Sequence, residues 1–195
     1  MSNAQHRALR RGLPAALVTV GLAAALGAGP ASGQAEAPPT IVMKLDRIGL
    51  RFTGPKQVEE GQTLRIRNAT SPDQIGPHTF SIVTPRALPT TLRARKRCFT
   101  AGHICRTVAV NGHKFNPKTG MAGRNVAKAG LAGWDKAFSR NPESIGDSWF
   151  TEAKGATFSQ VVSAKAGTTL TYLCAIHPEM KGKIDVVPGA TPPTP

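Results

Sequence analysis

The sequence predicts an all-β domain, from the composition of its apolar segments and from the turn residues between them. Residues 63–68 alternate apolar and basic side chains, as a half-buried strand does. Gly54-Pro55 and 164–167 break the pattern between neighbouring apolar segments. Strand-like segments rich in Thr and apolar residues lie at 41–45, 48–52, 63–68, 79–83, 148–150, 157–162, 167–173 and 183–187. Residues 58–62 are predicted to form a turn, as is Gly182.

The chain has 195 residues, 40% of them hydrophobic, which is enough for one domain with a core. Residues 1–33 have the order of an export signal: three arginines, an apolar run over 13–28, then small residues. That run is short and contains Pro14, so a membrane-spanning helix is the weaker interpretation, and no later segment replaces it. We therefore predict an exported protein, periplasmic or extracellular, with a mature domain over 34–188 and a disordered tail over 189–195.

The charge is strongly basic. It is +14 for the whole chain and +11 after residues 1–33 are removed, because that segment contains three Arg and no acid. A basic exported domain favours anionic surfaces or acidic protein partners, but a merely solvated basic surface is the preferred interpretation over any named partner. Nucleic acid is not predicted, because the basic residues are scattered rather than interleaved with aromatic ones.

Potential metal ligands are concentrated in residues 174–180, whose sequence is Cys-Ala-Ile-His-Pro-Glu-Met. Two histidines and a cysteine in a trigonal plane, with a weak axial methionine, form the ligand set of a blue-copper centre. The segment supplies Cys174, His177 and Met180, so the second histidine must come from elsewhere, and His78 at the start of a predicted strand offers it. Each residue alone would be an ordinary buried thiol or loop residue, whereas the combination between two strands favours a metal site.

The spacing Cys-x-x-His-x-x-Met, with Pro178 after the histidine and Pro77 before His78, resembles the cupredoxin family and most of all its amicyanin- and plastocyanin-like copper loops. The resemblance covers about 41–86 and 147–188. It implies a Greek-key β-sandwich of seven or eight strands and one type 1 copper. It also implies one-electron transfer, with His177 as the electron port, and therefore no enzymatic activity.

Zinc also binds Cys and His, but a thioether is a poor zinc ligand, so Met180 favours copper. Many cupredoxins have Asn after the first ligand histidine, where this chain has Thr79. We predict that the Thr79 hydroxyl makes a similar bond that orients the ligands. Met43 is predicted to be a core residue rather than a ligand.

The other two cysteines, Cys98 and Cys105, flank a six-residue segment containing Gly102. In an exported protein a disulfide between them is predicted, and it leaves Cys174 as the free thiol that copper requires.

Residues from about 86 to 146 depart from the strand pattern. We interpret them as a loop-rich insertion on the sandwich, because they contain too few large apolar residues for a core of their own. His103 and His113 are predicted to be solvent-exposed loop residues. Met121 and Trp134 are left with two positions, a sandwich edge or the border of the copper site.

The predicted function is electron transfer between redox partner proteins. Copper storage or delivery without electron relay is the alternative, and a metal-free sandwich for adhesion or partner binding is a third. A copper oxidase or nitrite reductase is disfavoured, because the chain has one ligand set and no His-x-His pair.

Overall fold

The computed structural model describes residues 36–116, 118–119, 122–123, 133–138 and 146–189. The predicted signal segment, Met121 and residues 190–195 of the predicted tail lie outside these ranges. No helix among the described residues is long and apolar enough to cross a membrane.

Nine strands of the described chain form two facing sheets. They are β1 (Thr40–Asp46), β2 (Gly49–Thr53), β3 (Gln57–Glu59), β4 (Thr63–Asn68), β5 (His78–Val83), β8 (Ser148–Thr151), β9 (Thr157–Val161), β10 (Thr169–Leu173) and β11 (Lys181–Val187). A separate ribbon pairs β6 (Lys114–Phe115) with β7 (Ala122–Gly123). The all-β prediction is confirmed, with more strands than the seven or eight expected.

The first sheet has the order β2-β1-β4-β9 and the second has the order β3-β11-β10-β5-β8. β1 pairs in parallel with β4, and β3 with β11, while the other pairs in these two sheets are antiparallel. This order makes β5 and β10 direct neighbours at the centre of the second sheet, although they are far apart in sequence.

The turn predicted at 58–62 is confined to Glu60 and Gly61, and the turn predicted at Gly182 is wrong. The segment predicted as a turn at 58–62 begins with a strand residue, Val58, which is buried and lies opposite Val186 of β11. Gly182 is also a strand residue, opposite Tyr172. A Cβ at position 182 would lie 2.5 Å from the Tyr172 ring, so this glycine allows close packing rather than a turn.

The main core fills the space between the sheets. Met43 is fully buried in it, as predicted. Trp134 is also fully buried there, and its backbone N–H donates to the Val161 carbonyl of β9, the edge strand of the first sheet, so of its two predicted positions it takes the sandwich edge. The Trp134 ring packs edge-on against Phe80 at 5.1 Å and Phe158 at 5.6 Å. Burying aromatic rings of this size contributes a large share of the stability of a domain.

Two short helices, α2 (Leu92–Arg97) and α3 (Ile104–Gly112), occupy the segment predicted to be loop-rich. Thr91 caps α2 by accepting a hydrogen bond from the Ala94 N–H. The predicted Cys98–Cys105 disulfide joins the end of α2 to the start of α3. We call residues 85–113 together with Phe138 the helical cover.

The helical cover packs on the second sheet. Its apolar residues form a cluster with Val83 of β5, Leu173 of β10 and Ala175, which follows Cys174. As a result, β5 is buried along its whole length, on both faces. The prediction of an exposed loop His113 is wrong, because this residue of the cover is only 2% exposed. His103 precedes α3 and is half-buried.

Candidate metal centre

Three of the predicted ligands converge at one end of the second sheet. His78 is the first residue of β5, and Cys174 follows the last residue of β10. A short helix, α1 (Pro72–Ile75), lies in the loop that leads to His78. Two backbone hydrogen bonds fold the Cys174–Met180 segment back on itself: Cys174 N–H to the Met180 carbonyl and Met180 N–H to the His177 carbonyl, each 2.9 Å.

The donor atoms of these three ligands form a small triangle. Cys174 Sγ lies 3.8 Å from His78 Nδ1 and 3.7 Å from His177 Nδ1, and the two nitrogens are 3.2 Å apart. Nitrogen and sulfur ligands about 2.0 and 2.3 Å from a metal would be about 3.7 Å apart at a trigonal angle. The triangle therefore has the size that one metal ion with trigonal ligands requires.

Met180 is fully buried, in the same apolar cluster as Cys174. The backbone hydrogen bond between these two residues holds Met180 at the base of the loop. Among the described residues, His78, Cys174 and His177 are the group of His, Cys, Asp and Glu side chains close enough to hold a metal ion.

The architecture and the site were compared with known proteins. No protein-family model and no curated protein matches this chain. Solved structures that resemble it include auracyanin from Roseiflexus castenholzii, with 17% identity, 76% of this chain and 95% of that chain covered, and a TM-score of 0.38. A purple cupredoxin from Nitrosopumilus maritimus has 12% identity, 75% and 97% coverage, and a TM-score of 0.34. Auracyanin A from Chloroflexus aurantiacus has 14% identity, 77% and 98% coverage, and a TM-score of 0.38.

These likenesses are too distant to carry an argument about function. Independently of them, the described strands form a two-sheet sandwich, with a histidine at the head of β5 and a Cys-x-x-His-x-x-Met loop after its neighbour β10. This arrangement agrees with the β-sandwich and the ligand positions that the cupredoxin resemblance of the sequence implies.

The donor set of this site fits one copper ion. Thiolate and thioether sulfur are soft ligands that copper accepts, and imidazole suits it as well. Zinc would use Cys and His but gain little from a buried Met180. The chain therefore offers copper four buried or half-buried side chains, with the two nitrogens already directed at the thiol.

A chain of hydrogen bonds orients His78. Asn68 Nδ2 donates to the Ala153 carbonyl at 3.1 Å, so Asn68 Oδ1 faces Thr70 and accepts its hydroxyl hydrogen at 2.7 Å. The Thr70 oxygen then accepts from His78 Nε2–H, also at 2.7 Å. This leaves His78 Nδ1 without a proton and directed at Cys174, the tautomer that a metal ligand needs. Sequence reasoning missed Asn68 and Thr70.

The environment of Cys174 partly offsets the cost of a buried thiolate. Burial raises the pKa of the Cys174 thiol, and hydrogen bonds from Thr79, His177 and Ile176 oppose that rise. The Thr79 and His177 N–H groups donate to Sγ at 3.3 and 3.4 Å. The Thr79 hydroxyl oxygen accepts from the Ala175 N–H at 2.7 Å and so bridges the two ligand segments.

Both ligand imidazoles are neutral at neutral pH. Burial, and then the neighbouring His177, lower the pKa of His78 to about 4. Burial also lowers the pKa of His177, against smaller raising effects from Glu179 and from a hydrogen bond to the Ile75 backbone. A neutral imidazole is the form that binds a metal, so the site needs little proton release from its histidines on loading.

Proposed function

We propose that this protein is an exported one-electron carrier that holds a single type 1 copper. The observation that carries the proposal is the triangle of His78, Cys174 and His177 donor atoms, whose size suits trigonal copper. In the proposed site these three side chains form the trigonal plane, and Met180 makes the weak axial contact. Copper, when bound, supplies a one-electron couple; the protein supplies fixed ligands and exclusion of water.

The rigidity of the site favours relay over delivery. His78 is held by Thr70 and Asn68, and Cys174 by two backbone N–H groups, before any metal arrives. Ligands that are already positioned change little between two oxidation states, which lowers the cost of electron exchange. A carrier built to release copper would gain from exposed, adaptable ligands, whereas Cys174 and His78 are both fully buried.

His177 is the proposed electron port. It is half-buried, whereas His78 is fully buried, so the ring edge of His177 is the part of the plane nearest to solvent. Ile176 and Pro178 beside it are also half-exposed and offer an apolar rim for a partner to press against. Although the helical cover contacts Ala175, it leaves this tip of the loop accessible.

The proposed partner is another redox protein with an acidic surface. After removal of 1–33 the charge is +11, and the segment 86–134 contains ten Lys and Arg and no acidic residue. Such a field speeds the encounter with an acidic partner without adding much affinity. This charge is the feature that supports the choice of partner.

The experiment that tests relay against copper holding compares two rates on the copper-loaded protein. We expect rapid, reversible one-electron oxidation and reduction, with copper retained for hours against a competing chelator. Slow electron exchange together with rapid copper loss to the chelator would contradict relay and favour storage or delivery. Met180→Leu serves as the matched variant, because it removes the thioether while keeping an apolar side chain of similar volume. It is expected to keep the colour and shift the reduction potential.

A further inference from the structure

We propose that His113 is a positioning residue for the copper thiolate, acting through a buried chain of hydroxyl groups that ends at Cys174. The inference deepens the proposed function and rests on it for its redox consequence. The series of hydrogen bonds itself is a property of the metal-free protein. Sequence reasoning placed His113 in a solvent-exposed loop, so no role followed from it.

The chain runs from the helical cover across two strands. His113 Nε2 lies 2.7 Å from Ser148 Oγ on β8, and Ser148 Oγ lies 2.7 Å from Ser81 Oγ on β5. Ser81 donates to Thr79 Oγ1 at 3.1 Å. Ser148 and Ser81 are directly opposed in the β5–β8 pairing, and Thr79 and Ser81 lie on the same face of β5. The register of the sheet therefore brings the members of this hydrogen-bond series together.

The hydrogen atoms along this chain can point in one direction only. The Ser81 hydrogen goes to Thr79, so Ser81 must accept from Ser148, and Ser148 must accept from His113 Nε2–H. Thr79 Oγ1 already accepts from Ser81 and from the Ala175 N–H, which leaves its own hydrogen for Cys174. The Thr79 backbone N–H donates to Cys174 Sγ at 3.3 Å, so Thr79 lies directly against the sulfur. The donors thus point toward Thr79, the residue that contacts the sulfur.

Burial strengthens the hydrogen bonds of this series. Thr79, Ser81, Ser148 and His113 are all at most 2% exposed. In a medium of low polarity, hydrogen bonds in series polarise one another, and groups left without partners are costly. Valine or alanine would pack at these positions with no polar group to satisfy. An aligned series of four polar side chains is therefore better explained by its end point, the thiolate, than by packing.

The expected consequence concerns how strongly the thiolate donates electron density to copper. Hydrogen bonds around the cysteine sulfur tune the reduction potential of such sites. A donor chain that withdraws density from the sulfur favours the reduced state of the site and raises the energy of sulfur-to-copper charge transfer. Breaking this series of hydrogen bonds should therefore lower the reduction potential and shift the visible band to longer wavelength.

The test compares variants of the full mature protein. His113→Leu and Ser81→Ala break the chain at two places, and each is expected to shift the band and lower the potential. The double variant is expected to show no more than the larger single effect, because both changes interrupt one series. His113→Gln, which retains an N–H donor of similar reach, is expected to restore most of the wild-type values. Val108→Ala is the matched control: it removes buried packing from α3 without touching the chain, and should lower Tm while leaving band and potential unchanged.

A second measurement tests the chain without copper. In the metal-free protein the Nε2–H proton of His113 should be visible by NMR as a slowly exchanging signal, and Ser148→Ala should shift it or remove it. An absent signal would contradict the proposed hydrogen-bond series, even if the copper spectrum is as proposed. Folded His113→Leu and Ser81→Ala with wild-type band and potential would overturn the positioning role. If His113→Leu does not fold, Ser81→Ala, which deletes a single oxygen, decides the question. Failure of the wild-type protein to develop the band would instead contradict the proposed function, leaving the chain to be judged by NMR alone.

Discussion

The Cys174–Met180 loop and the helical cover differ in how they contribute to the site. The loop supplies three proposed ligands within seven residues, and neighbouring backbone groups hold them in place. The cover supplies no ligand; it reaches the site by packing on Ala175 and through the hydrogen-bond series that begins at His113. The difference teaches that the choice of metal is encoded locally, whereas the surroundings of the sulfur are set by a part of the chain far away in sequence.

The largest effect is expected inside the loop. Cys174→Ser removes the thiolate that would give the proposed type 1 site its intense visible colour, so the absorption should be lost while the fold remains. Visible absorption and circular dichroism of the copper-treated variant check this. Retention of an intense band would mean that Cys174 is not the ligand, and an unfolded variant would make the loop structural as well as functional.

Acid should act on the metal-free protein through His78. Its pKa is about 4 in the folded state against 6.5 unfolded, so the unfolded chain binds more protons between these values. The free energy of unfolding is therefore expected to fall as pH drops from about 6.5 to 4, by up to roughly 3 kcal/mol. Denaturant unfolding at a series of pH values measures it. His78→Gln should flatten the profile, and an unchanged slope in that variant would place the acid sensitivity elsewhere.

The disulfide prediction probes the cover. Replacing Cys98 and Cys105 together by Ala should lower the free energy of unfolding by about 2.5 kcal/mol, from the loop-closure entropy of so short a loop. Because neither residue belongs to the site, the colour should remain. Loss of copper binding in this folded variant would show that the cover and the loop are not separable in this way. Thiol labelling of unfolded, unreduced wild-type protein should find one reactive thiol, Cys174.

A change at the rim of the loop should affect rate rather than spectrum. Ile176→Asp and Ile176→Lys place a charge beside His177, where a partner would need a dry contact. Electron exchange is expected to slow several-fold for both, with little change in the copper band. Slowing by Asp alone would indicate that only charge matters, and no slowing by either would contradict His177 as the port.

The smallest effect expected is that of salt. Exchange with an acidic redox partner should slow as ionic strength rises, since surface charges are screened beyond about 8 Å at physiological salt. Exchange with an uncharged reductant is the control and should not change. Equal salt dependence for both would remove the charge argument for an acidic partner.

The sequence predicted most of the strands and the three side chains, His78, Cys174 and His177, that the structure brings together; the strands and the loop spacing are local signals. Apolar and Thr-rich segments mark the strands, and the spacing of Cys174, His177 and Met180 identifies the site without any knowledge of the fold. β3 was missed because it is only three residues long and depends on pairing with β11, more than a hundred residues later.

The polar surroundings of the ligands could not be predicted. Ser81 and Ser148 are separated by 67 residues, and His113 and Ser148 by 35, so only the sheet register brings them together. In the sequence, the hydroxyl residues of β5 alternate with Phe80 and Ile82 and have the pattern of a solvated strand face. The helical cover buries that face, and its helices of six and nine residues are too short to give a clear pattern of their own.

Titration of the purified metal-free protein with Cu(II), followed by visible absorption, tests the central claim most directly. One copper per chain should produce an intense band from Cys174 thiolate-to-copper charge transfer, saturating at a single equivalent. A pale, tetragonal Cu(II) centre, or no binding at all, would contradict the assignment of a type 1 site to His78, Cys174, His177 and Met180.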